Sequence, residues 1–420
     1  MRYDISPVIL AAARRADEKI EPVLKELAAT STANHLKVLR AFQAEQVSEH
    51  HFCGTTGYGL GDYGRDCLDR VFARVFNCEA ALVRSQIVSG THAIALCLYG
   101  VLRPGDELVS AIGAPYDTLE ELIGIRGEAP GSLRQMGIGY RQVDLTPDGE
   151  PDYRAIEAAI GPKTRMVSIQ RSRGYAWRPS LDISTLGKII STVKRIKPEA
   201  ICFVDNCYGE LVEREEPTDV GADLVAGSLI KNLGGGIAPM GGYVAGKAEL
   251  VRLAAGRLTA PGIGGEVGAT LGLNRLLFQG LYLSPVIVRE ALQGAVFAAA
   301  LFEELGFEVS PDYAAKRTDL IQAIKLNSAA GMIAFCQGLQ QGSAIDSHVA
   351  PEPSGMPGYG DEVIMAGGTF IQGATSELSA DGPLREPFAV YLQGGLSFHY
   401  VRIGVLLAAQ KMFEQGFIAL

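Results

Sequence analysis

The sequence predicts an α/β protein with a mostly parallel sheet that is covered by helices on both faces. Between about residues 80 and 245, short apolar runs alternate with amphipathic stretches of helical length. Strands that alternate with helices in this way are typical of parallel sheets, which are buried on both sides. The chain contains 50 glycines, and they cluster beside apolar runs, which indicates tight loops packed against a core.

The chain divides into three predicted units. Residues 1–55 form a helical arm, because apolar residues recur at helical spacing over two helices that are separated after Ser31 and Thr32. Residues 56–305 form a large domain, and residues 306–420 form a smaller α/β domain. The predicted strands of the large domain lie at 80–83, 107–110, 138–143, 166–169 and 201–204, and its helices at 91–102, 116–125, 151–160, 183–193 and 266–305. The small domain is predicted to contain strands at 320–326 and 362–365 and a last helix near 405–413.

The composition excludes several classes of partner. The net charge is −9 and no long basic run is present, so nucleic acid is not an expected partner. The N-terminus lacks the pattern of a secretion signal, and no stretch is apolar enough to predict a membrane span. The seven cysteines lack a paired framework, which favours reduced thiols and a cytoplasmic location. His50, His51 and Cys53 lie close together, but no second cluster follows at zinc spacing, so no metal site is predicted.

Lys231 and Asp205 are the strongest indication of chemistry. Lys231 lies in a run of small and apolar residues, 226–236, where a ligand aldehyde could reach its amine and where burial would lower its pKa. Asp205 ends the apolar run 201–204, where an unpaired carboxylate would be costly. Pyridoxal phosphate needs an amine for a Schiff base and an acid that keeps its ring nitrogen protonated. The pair therefore predicts this cofactor; the alternatives are a solvated loop lysine and an aspartate that caps a turn.

Five further residues are placed to surround the cofactor. Ser89, Gly90 and Thr91 follow a strand-like run and begin a helix, so that backbone amides there could bind a phosphate. The alternative for these three is a plain helix cap. Tyr116 begins the next helix and could stack on the cofactor ring, or it could be a surface tyrosine. Ser228, in the lysine loop, could add a hydroxyl to the phosphate site.

These segments together resemble the fold-type I pyridoxal phosphate enzymes of cysteine and methionine metabolism. The chain looks like the branch known as aluminium resistance or methionine gamma-lyase family proteins, and the resemblance extends over nearly its whole length. It implies the aspartate aminotransferase-like fold, with a seven-stranded, mostly parallel sheet between helices in the large, cofactor-binding domain. The segments that show the resemblance are residues 51–66, 89–93, 204–210, 228–236, 368–383 and 400–404.

The resemblance implies roles for the central residues. Lys231 would form the Schiff base and then move protons as general acid and base. Asp205 would pair with the pyridinium nitrogen. Tyr116 would stack on the ring and act on the leaving group. The phosphate would be bound by the serines, glycine and threonine named above.

It also implies roles at the edges of the site. Tyr58 matches a tyrosine that in relatives reaches the phosphate of the neighbouring subunit. Leu60 stands where those relatives carry an arginine, and Arg65 is the alternative phosphate ligand. Arg402 matches a late basic residue that holds the substrate α-carboxylate, for which a planar guanidinium is suited; the alternative is an exposed strand arginine. Arg173 is a further candidate for substrate binding.

The implied activity is that of a carbon–sulfur lyase on a sulfur amino acid, as in methionine gamma-lyase or cystathionine beta-lyase. A site shared between subunits implies at least a homodimer, and relatives of this type are usually tetramers. Two alternatives remain open. One is an aminotransferase or thiol-replacement enzyme with the same cofactor, and the other is a metal-stress resistance protein that keeps the fold with little turnover. The substrate itself depends on loops such as 168–178 and 345–362, whose shapes the sequence does not give.

Overall fold

The computed structural model describes residues 4–418 and begins with one long helix. Helix α1 spans Pro7–Ala44 without a break, so the predicted separation after Ser31 and Thr32 is wrong. Both hydroxyls have hydrogen-bond acceptors that leave the helix intact. Ser31 Oγ donates to the carbonyl of Pro285 (3.0 Å), and Thr32 Oγ1 donates to a carbonyl one turn earlier (2.9 Å). Because neither side chain has to cap a new helix, α1 continues through them.

The first sheet has seven strands in the order β1-β7-β6-β5-β4-β2-β3. All neighbouring pairs are parallel except the two that β7 makes. The predicted mostly parallel sheet is confirmed. Its strands are β1 (Ala80–Arg84), β2 (Glu107–Ser110), β3 (Gly139–Gln142), β4 (Thr164–Gln170), β5 (Ile201–Asp205), β6 (Leu224–Ser228) and β7 (Gly242–Gly246).

Helices cover both faces of this sheet, because successive strand residues point to opposite sides. Leu108 packs in the core beneath α3, α4 and α7, whereas its neighbour Val109 packs in the core beneath α2, α5 and α6. Each face therefore has its own apolar layer. The helices are α2 (Tyr63–Val75), α3 (Gly90–Val101), α4 (Asp117–Ile123), α5 (Tyr153–Ala159), α6 (Ile183–Ile196) and α7 (Ala248–Leu258).

Helix α8 (Asn274–Glu304) links the two sheets and continues through Pro285. Pro285 has no backbone N–H to donate to the carbonyl of Leu281, and the hydroxyl of the preceding Ser284 donates to the carbonyl of Gly280 (2.8 Å). Among the described residues, α8 is the one helix long and apolar enough to cross a membrane, yet 72% of that stretch is buried inside the protein. Packing against α1 explains its apolar composition.

The second sheet has five strands, all antiparallel, in the order β10-β11-β12-β9-β8. Two helices, α9 and α10, share a core with this sheet, the first turns of α1 and the end of α8. Helix α10 is longer than predicted and begins at Phe398. The elements are β8 (Val309–Ser310), β9 (Gln322–Lys325), α9 (Ala329–Gln341), β10 (Val363–Ala366), β11 (Ser379–Pro383), β12 (Ala389–Gln393) and α10 (Phe398–Glu414).

Candidate active site

A cleft of about 240 Å³ lies at the carboxyl ends of β4, β5 and β6, between the first sheet and segments of the second. Asp205 is the last residue of β5 and pairs with Ala226 of the parallel strand β6. Lys231 follows the end of β6 by one short turn. Parallel strands end at the same edge of a sheet, which brings the amine and the carboxylate into one cleft.

The charges of Lys231 and Asp205 depend on each other. Burial raises the pKa of the Asp205 carboxyl, and the nearby Lys231 amine and the Cys207 backbone N–H, which donates to Asp205 Oδ1 (3.1 Å), oppose that rise. Burial lowers the pKa of Lys231, but Cys207, Tyr208 and Asp205 together raise it above its ordinary value. The predicted lowering of the amine pKa is therefore wrong for the chain alone. The prediction considered only the apolar flanks and left out these acidic neighbours.

The N-terminus of α3 faces the same cleft. Ser89 caps this helix and accepts a hydrogen bond from the backbone N–H of His92 (3.0 Å), so the alternative role of a helix cap is also present. Ser89, Gly90 and Thr91 nevertheless all line the cleft, together with the buried Ser228. Free backbone N–H groups and the helix dipole make such an end favourable for an anion.

Tyr116 belongs to a group of tyrosines that the sequence analysis did not predict. Its hydroxyl is hydrogen-bonded to the hydroxyl of Tyr359 (2.6 Å), and its ring centroid lies 5.8 Å from that of Tyr175. The Lys231 Nζ lies 3.7 Å from the ring centroid of Tyr208. All of these side chains line the cleft. Burial raises the pKa of Tyr116 well above its ordinary value.

Asp381, on β11, is a second buried acid of the cleft that the sequence analysis missed. Burial raises its pKa to about 7, against the opposing effects of Tyr175, Lys231 and Gln393. The side-chain amide of Gln393 donates to Asp381 Oδ2 (3.2 Å). The signal used for Asp205 was absent here, because Asp381 lies in the run Ser-Ala-Asp-Gly-Pro, residues 379–383, which is not apolar enough to predict a buried strand.

The structure places two of the predicted arginines where they do not reach the cleft of their own chain. Arg402 lies on α10, where its Nη2 is 2.7 Å from Asp17 Oδ2 and its guanidinium is 5.2 Å from the ring centroid of Phe297. It points to the N-terminal arm and does not line the cleft. Arg65 is buried, and its Nη1 donates to the carbonyl of Gly59 (2.8 Å). Its guanidinium therefore secures the glycine loop from inside the protein and is not free for a phosphate.

The remaining two candidates lie outside the cleft of their own chain. Tyr58 is 80% exposed on the glycine loop, and its contact with a neighbouring subunit stays a prediction. Arg173 is buried and lines an adjoining cavity. Three side chains line both this cavity and the cleft, namely Tyr116, Gln170 and Tyr175.

The residues of the cleft fit pyridoxal phosphate. A Cβ added at Gly90 would lie 3.0 Å from Cys207 Sγ and 3.6 Å from Ser228 Cβ, so the backbone there lies close to its neighbours and leaves little room for a side chain. The buried hydroxyl of Thr375, which lines the cleft, has no hydrogen-bond partner within residues 4–418. An amine, an acid on the adjacent strand and an anion site at a helix N-terminus are the groups that the aldehyde, ring nitrogen and phosphate of this cofactor require.

Comparisons with known proteins confirm the predicted family, fold and enzyme class. The family model for methionine gamma-lyase matches residues 9–413. The protein YnbB of Bacillus subtilis (strain 168) is 52% identical over 407 residues, which is 97% of each chain. A solved structure from Listeria monocytogenes, described as a candidate cystathionine beta-lyase involved in aluminium resistance, is 51% identical, with a TM-score of 0.93 over 96% of this chain and 99% of that one. A carbon–sulfur lyase involved in aluminium resistance from Clostridium novyi NT is also 51% identical, with a TM-score of 0.94 over 97% and 96% of the two chains.

Proposed function

The chain belongs to the methionine gamma-lyase family, and we propose that this pyridoxal phosphate-dependent carbon–sulfur lyase acts on a sulfur amino acid through Lys231. The observation behind the proposal is that three groups meet in one cleft. They are the amine of Lys231, the carboxylate of Asp205 on the adjacent strand, and the N-terminus of α3 at Gly90. Together they match the aldehyde, the ring nitrogen and the phosphate of the cofactor.

Lys231 and Asp205 have different tasks in the proposed reaction. When bound, pyridoxal phosphate supplies an electron-withdrawing ring that makes the substrate α-proton acidic. Asp205 keeps the ring nitrogen protonated, because a buried carboxylate is stabilised by an adjacent positive charge. Lys231 is the lysine that lines the cleft. We assign to its amine both the covalent attachment of the cofactor and the removal of the substrate α-proton.

Tyr116 is the proposed proton donor to the leaving sulfur. Its raised pKa keeps the phenol neutral at physiological pH, so that it holds a proton to give. The hydrogen bond to Tyr359 orients its hydroxyl. The carbon–sulfur bond breaks with its electron pair on sulfur, and the sulfur leaves as a thiol after taking the proton. Overall, one sulfur amino acid and one water give one thiol, one keto acid and one ammonia.

A shared active site between subunits is also part of the proposal. Tyr58 and Leu60 are 80% and 67% exposed on the glycine loop that Arg65 secures from inside, and Tyr63, the first residue of α2, is 75% exposed. A cluster of exposed aromatic and aliphatic side chains is typical of an interface. Two inactive variants, Tyr58→Ala and Lys231→Ala, should regain activity when their subunits are mixed, because a hybrid dimer contains one intact site. Failure of the mixture, with both variants folded and oligomeric, would contradict a shared site.

Borohydride reduction of the holoenzyme, followed by peptide mapping, tests the assignment of Lys231. The pyridoxyl group should be found on the peptide that contains Lys231, and Lys231→Ala should remove it. A pyridoxyl group on any other lysine would overturn the assignment.

Product analysis tests the class of reaction. A lyase releases thiol, keto acid and ammonia in equal amounts. An aminotransferase converts the cofactor to its amine form without ammonia, and a replacement enzyme consumes an added thiol. Holoenzyme that releases neither thiol nor ammonia from any sulfur amino acid would overturn the proposed function.

A further inference from the structure

A second cavity, of about 400 Å³, adjoins the active-site cleft. We call it the arginine cavity, because four guanidinium groups line it. The side chains of Tyr116, Gln170 and Tyr175 line both spaces and separate them. The leaving group of the substrate departs next to Tyr116 in the proposed reaction, so the arginine cavity lies on the side of the leaving group. Its arginines are Arg126, Arg173, Arg178 and Arg385.

Two of these arginines already have carboxylate partners. Arg385 Nη1 is 3.2 Å from Asp117 Oδ1 and 2.8 Å from Asp361 Oδ2. Arg126 Nε is 2.6 Å from Glu120 Oε2. The three acids that line the cavity are thus occupied by its two outer arginines, which are themselves partly exposed.

Arg173 and Arg178 have no such partner among the described residues. Arg178 is 8% exposed and donates only to carbonyl oxygens, those of Gln170, Ser172 and Pro179. Arg173 is 2% exposed, and its Nε and Nη1 have no hydrogen-bond partner in the described part of the chain.

A nearby carboxylate, that of Asp319, opposes the effect of burial on the pKa of both arginines, but among the described residues it forms no ion pair with either. It accepts hydrogen bonds from Ser172 Oγ (2.7 Å), Ser180 Oγ (2.5 Å) and the backbone N–H of Ile321 (3.1 Å). Burial nevertheless lowers the pKa of both Arg173 and Arg178, to about 10 for Arg178. Two buried guanidinium groups without a carboxylate in direct contact are costly, and an anion that binds between them would reduce that cost.

We propose that the arginine cavity binds a carboxylate on the leaving arm of the substrate, so that the preferred substrate is a sulfur amino acid with a second carboxylate. This inference rests on the proposed function, because it places the reacting amino-acid end of the substrate in the cleft. Arg173 supplies the free planar N–H donors that a carboxylate accepts in pairs. Arg178 adds positive charge beside it, and Tyr116 and Tyr175 enclose the thioether between the two sites.

Two matched thioethers test this specificity on the holoenzyme. S-carboxypropyl-L-cysteine and S-propyl-L-cysteine differ in the terminal carboxylate alone. The wild-type enzyme should prefer the first in kcat/KM by about 10- to 100-fold, the usual range for a hydrogen bond to a charged group. Arg173→Met should remove most of that preference, and Arg173→Lys should restore part of it. Arg402→Gln, an arginine outside both spaces, is the matched control and should keep the full preference. Equal kcat/KM values for the two thioethers in the wild type, or an unchanged preference in Arg173→Met, would overturn the inference.

A binding measurement keeps this test separate from the proposed function. Isothermal titration calorimetry measures the binding of butyrate, which represents the end of the leaving arm. Butyrate should bind to the wild-type holoenzyme and bind about 10-fold more weakly to Arg173→Met. Butyrate binding without turnover of either thioether would retain the cavity and reject the lyase. Turnover with identical butyrate affinity in both proteins would reject the cavity and retain the lyase.

Discussion

The cleft has two walls that hold their polar groups in different ways. On the wall formed by the first sheet, Ser89 and Asp205 already have partners in the protein: Ser89 accepts from the backbone N–H of His92, and Asp205 accepts from the backbone N–H of Cys207. On the wall formed by the second sheet, the buried hydroxyls of Thr375 and Ser379 have no partner within residues 4–418. The first wall is preorganised for a resident group, whereas the second has binding capacity left for a substrate. We therefore place the cofactor against the first wall and the substrate against the second.

The largest expected effect lies on the first wall, at Lys231. Lys231→Ala should lower kcat by at least about a thousandfold, because in the proposed reaction the amine both attaches the cofactor and moves the α-proton. Loss of the absorbance of the bound cofactor and steady-state kinetics measure the two tasks separately. Lys247→Ala is the matched control, since Lys247 is exposed and paired with Asp223, and it should leave kcat unchanged. Substantial activity in Lys231→Ala would contradict the role proposed for Lys231 and the placement of the cofactor against the first wall.

The buried carboxyl of Asp381, on the second wall, should make the free energy of unfolding depend on pH. The Asp381 carboxyl has a pKa of about 7 in the folded protein and an ordinary value of 3.8. Between these two pKa values the folded state therefore binds more protons than the unfolded state. The contribution of Asp381 to the free energy of unfolding is most favourable at low pH and falls as the pH rises to about 7. Over this interval the loss is about 4 kcal/mol, at 1.36 kcal/mol for each pH unit.

Asp381→Asn should remove this slope, because an amide does not titrate. Denaturant unfolding of the variant and the wild type at several pH values measures the difference. Asp223→Asn is the contrasting control: hydrogen bonds from Lys194 and Lys247 outweigh burial and hold the pKa of Asp223 below its usual range. That carboxyl stabilises the fold at neutral pH and loses its effect only in acid. Identical slopes for Asp381→Asn and the wild type would show that the second wall holds an ordinary carboxyl.

The same substitution on the first wall should act on catalysis. Asp205→Asn keeps the size of the side chain but removes the charge that would hold the ring nitrogen protonated, and we expect kcat to fall by about a hundredfold or more. Asp205→Glu should recover part of the activity. Measurement of kcat together with the Kd of the cofactor separates the electronic task from binding. A kcat within a few-fold of wild type in Asp205→Asn would contradict the assigned role.

Tyr116 and Tyr359 join the two walls through one hydrogen bond, and their effects should not add. Tyr116→Phe should lower kcat by about 10- to 100-fold, because it removes the proposed proton donor, whereas Tyr359→Phe should cost only a few-fold. The double variant should be no slower than Tyr116→Phe. Kinetics of the three variants form a double-mutant cycle, and fully additive losses would show that the two hydroxyls act independently.

The two walls also differ in how far the sequence predicted them. The residues of the first wall lie at strand ends and at a helix start, and in a parallel sheet these positions meet at one edge by rule. Lys231, Asp205 and Ser228 could therefore be assigned to one site from the sequence alone. No comparable rule brings Tyr359 and Asp381 to the cleft, because an antiparallel sheet and a loop deliver them from distant parts of the chain.

Around Arg402, beside the second sheet, the local sequence pattern failed to predict the secondary structure. The run Phe-His-Tyr-Val-Arg-Ile, residues 398–403, is rich in aromatic and β-branched residues, which favour a strand. In the fold it forms the start of α10, because Val401 and Val405 must face the core that this helix shares with the second sheet. Tertiary packing thus overrode propensity and turned Arg402 towards the N-terminal arm.

The smallest expected effect follows from that placement. Arg402 and Asp17 form an ion pair with side chains that are 30% and 37% exposed, so solvent screens most of their attraction. Arg402→Gln should therefore change the free energy of unfolding by less than about 1 kcal/mol and leave kcat and KM unchanged. Asp17→Asn should behave alike, because it breaks the same pair from the other side. A selective rise in KM for Arg402→Gln, absent from Asp17→Asn, would mean that the guanidinium leaves its partner to hold the substrate carboxylate, and the second wall would then have to include α10.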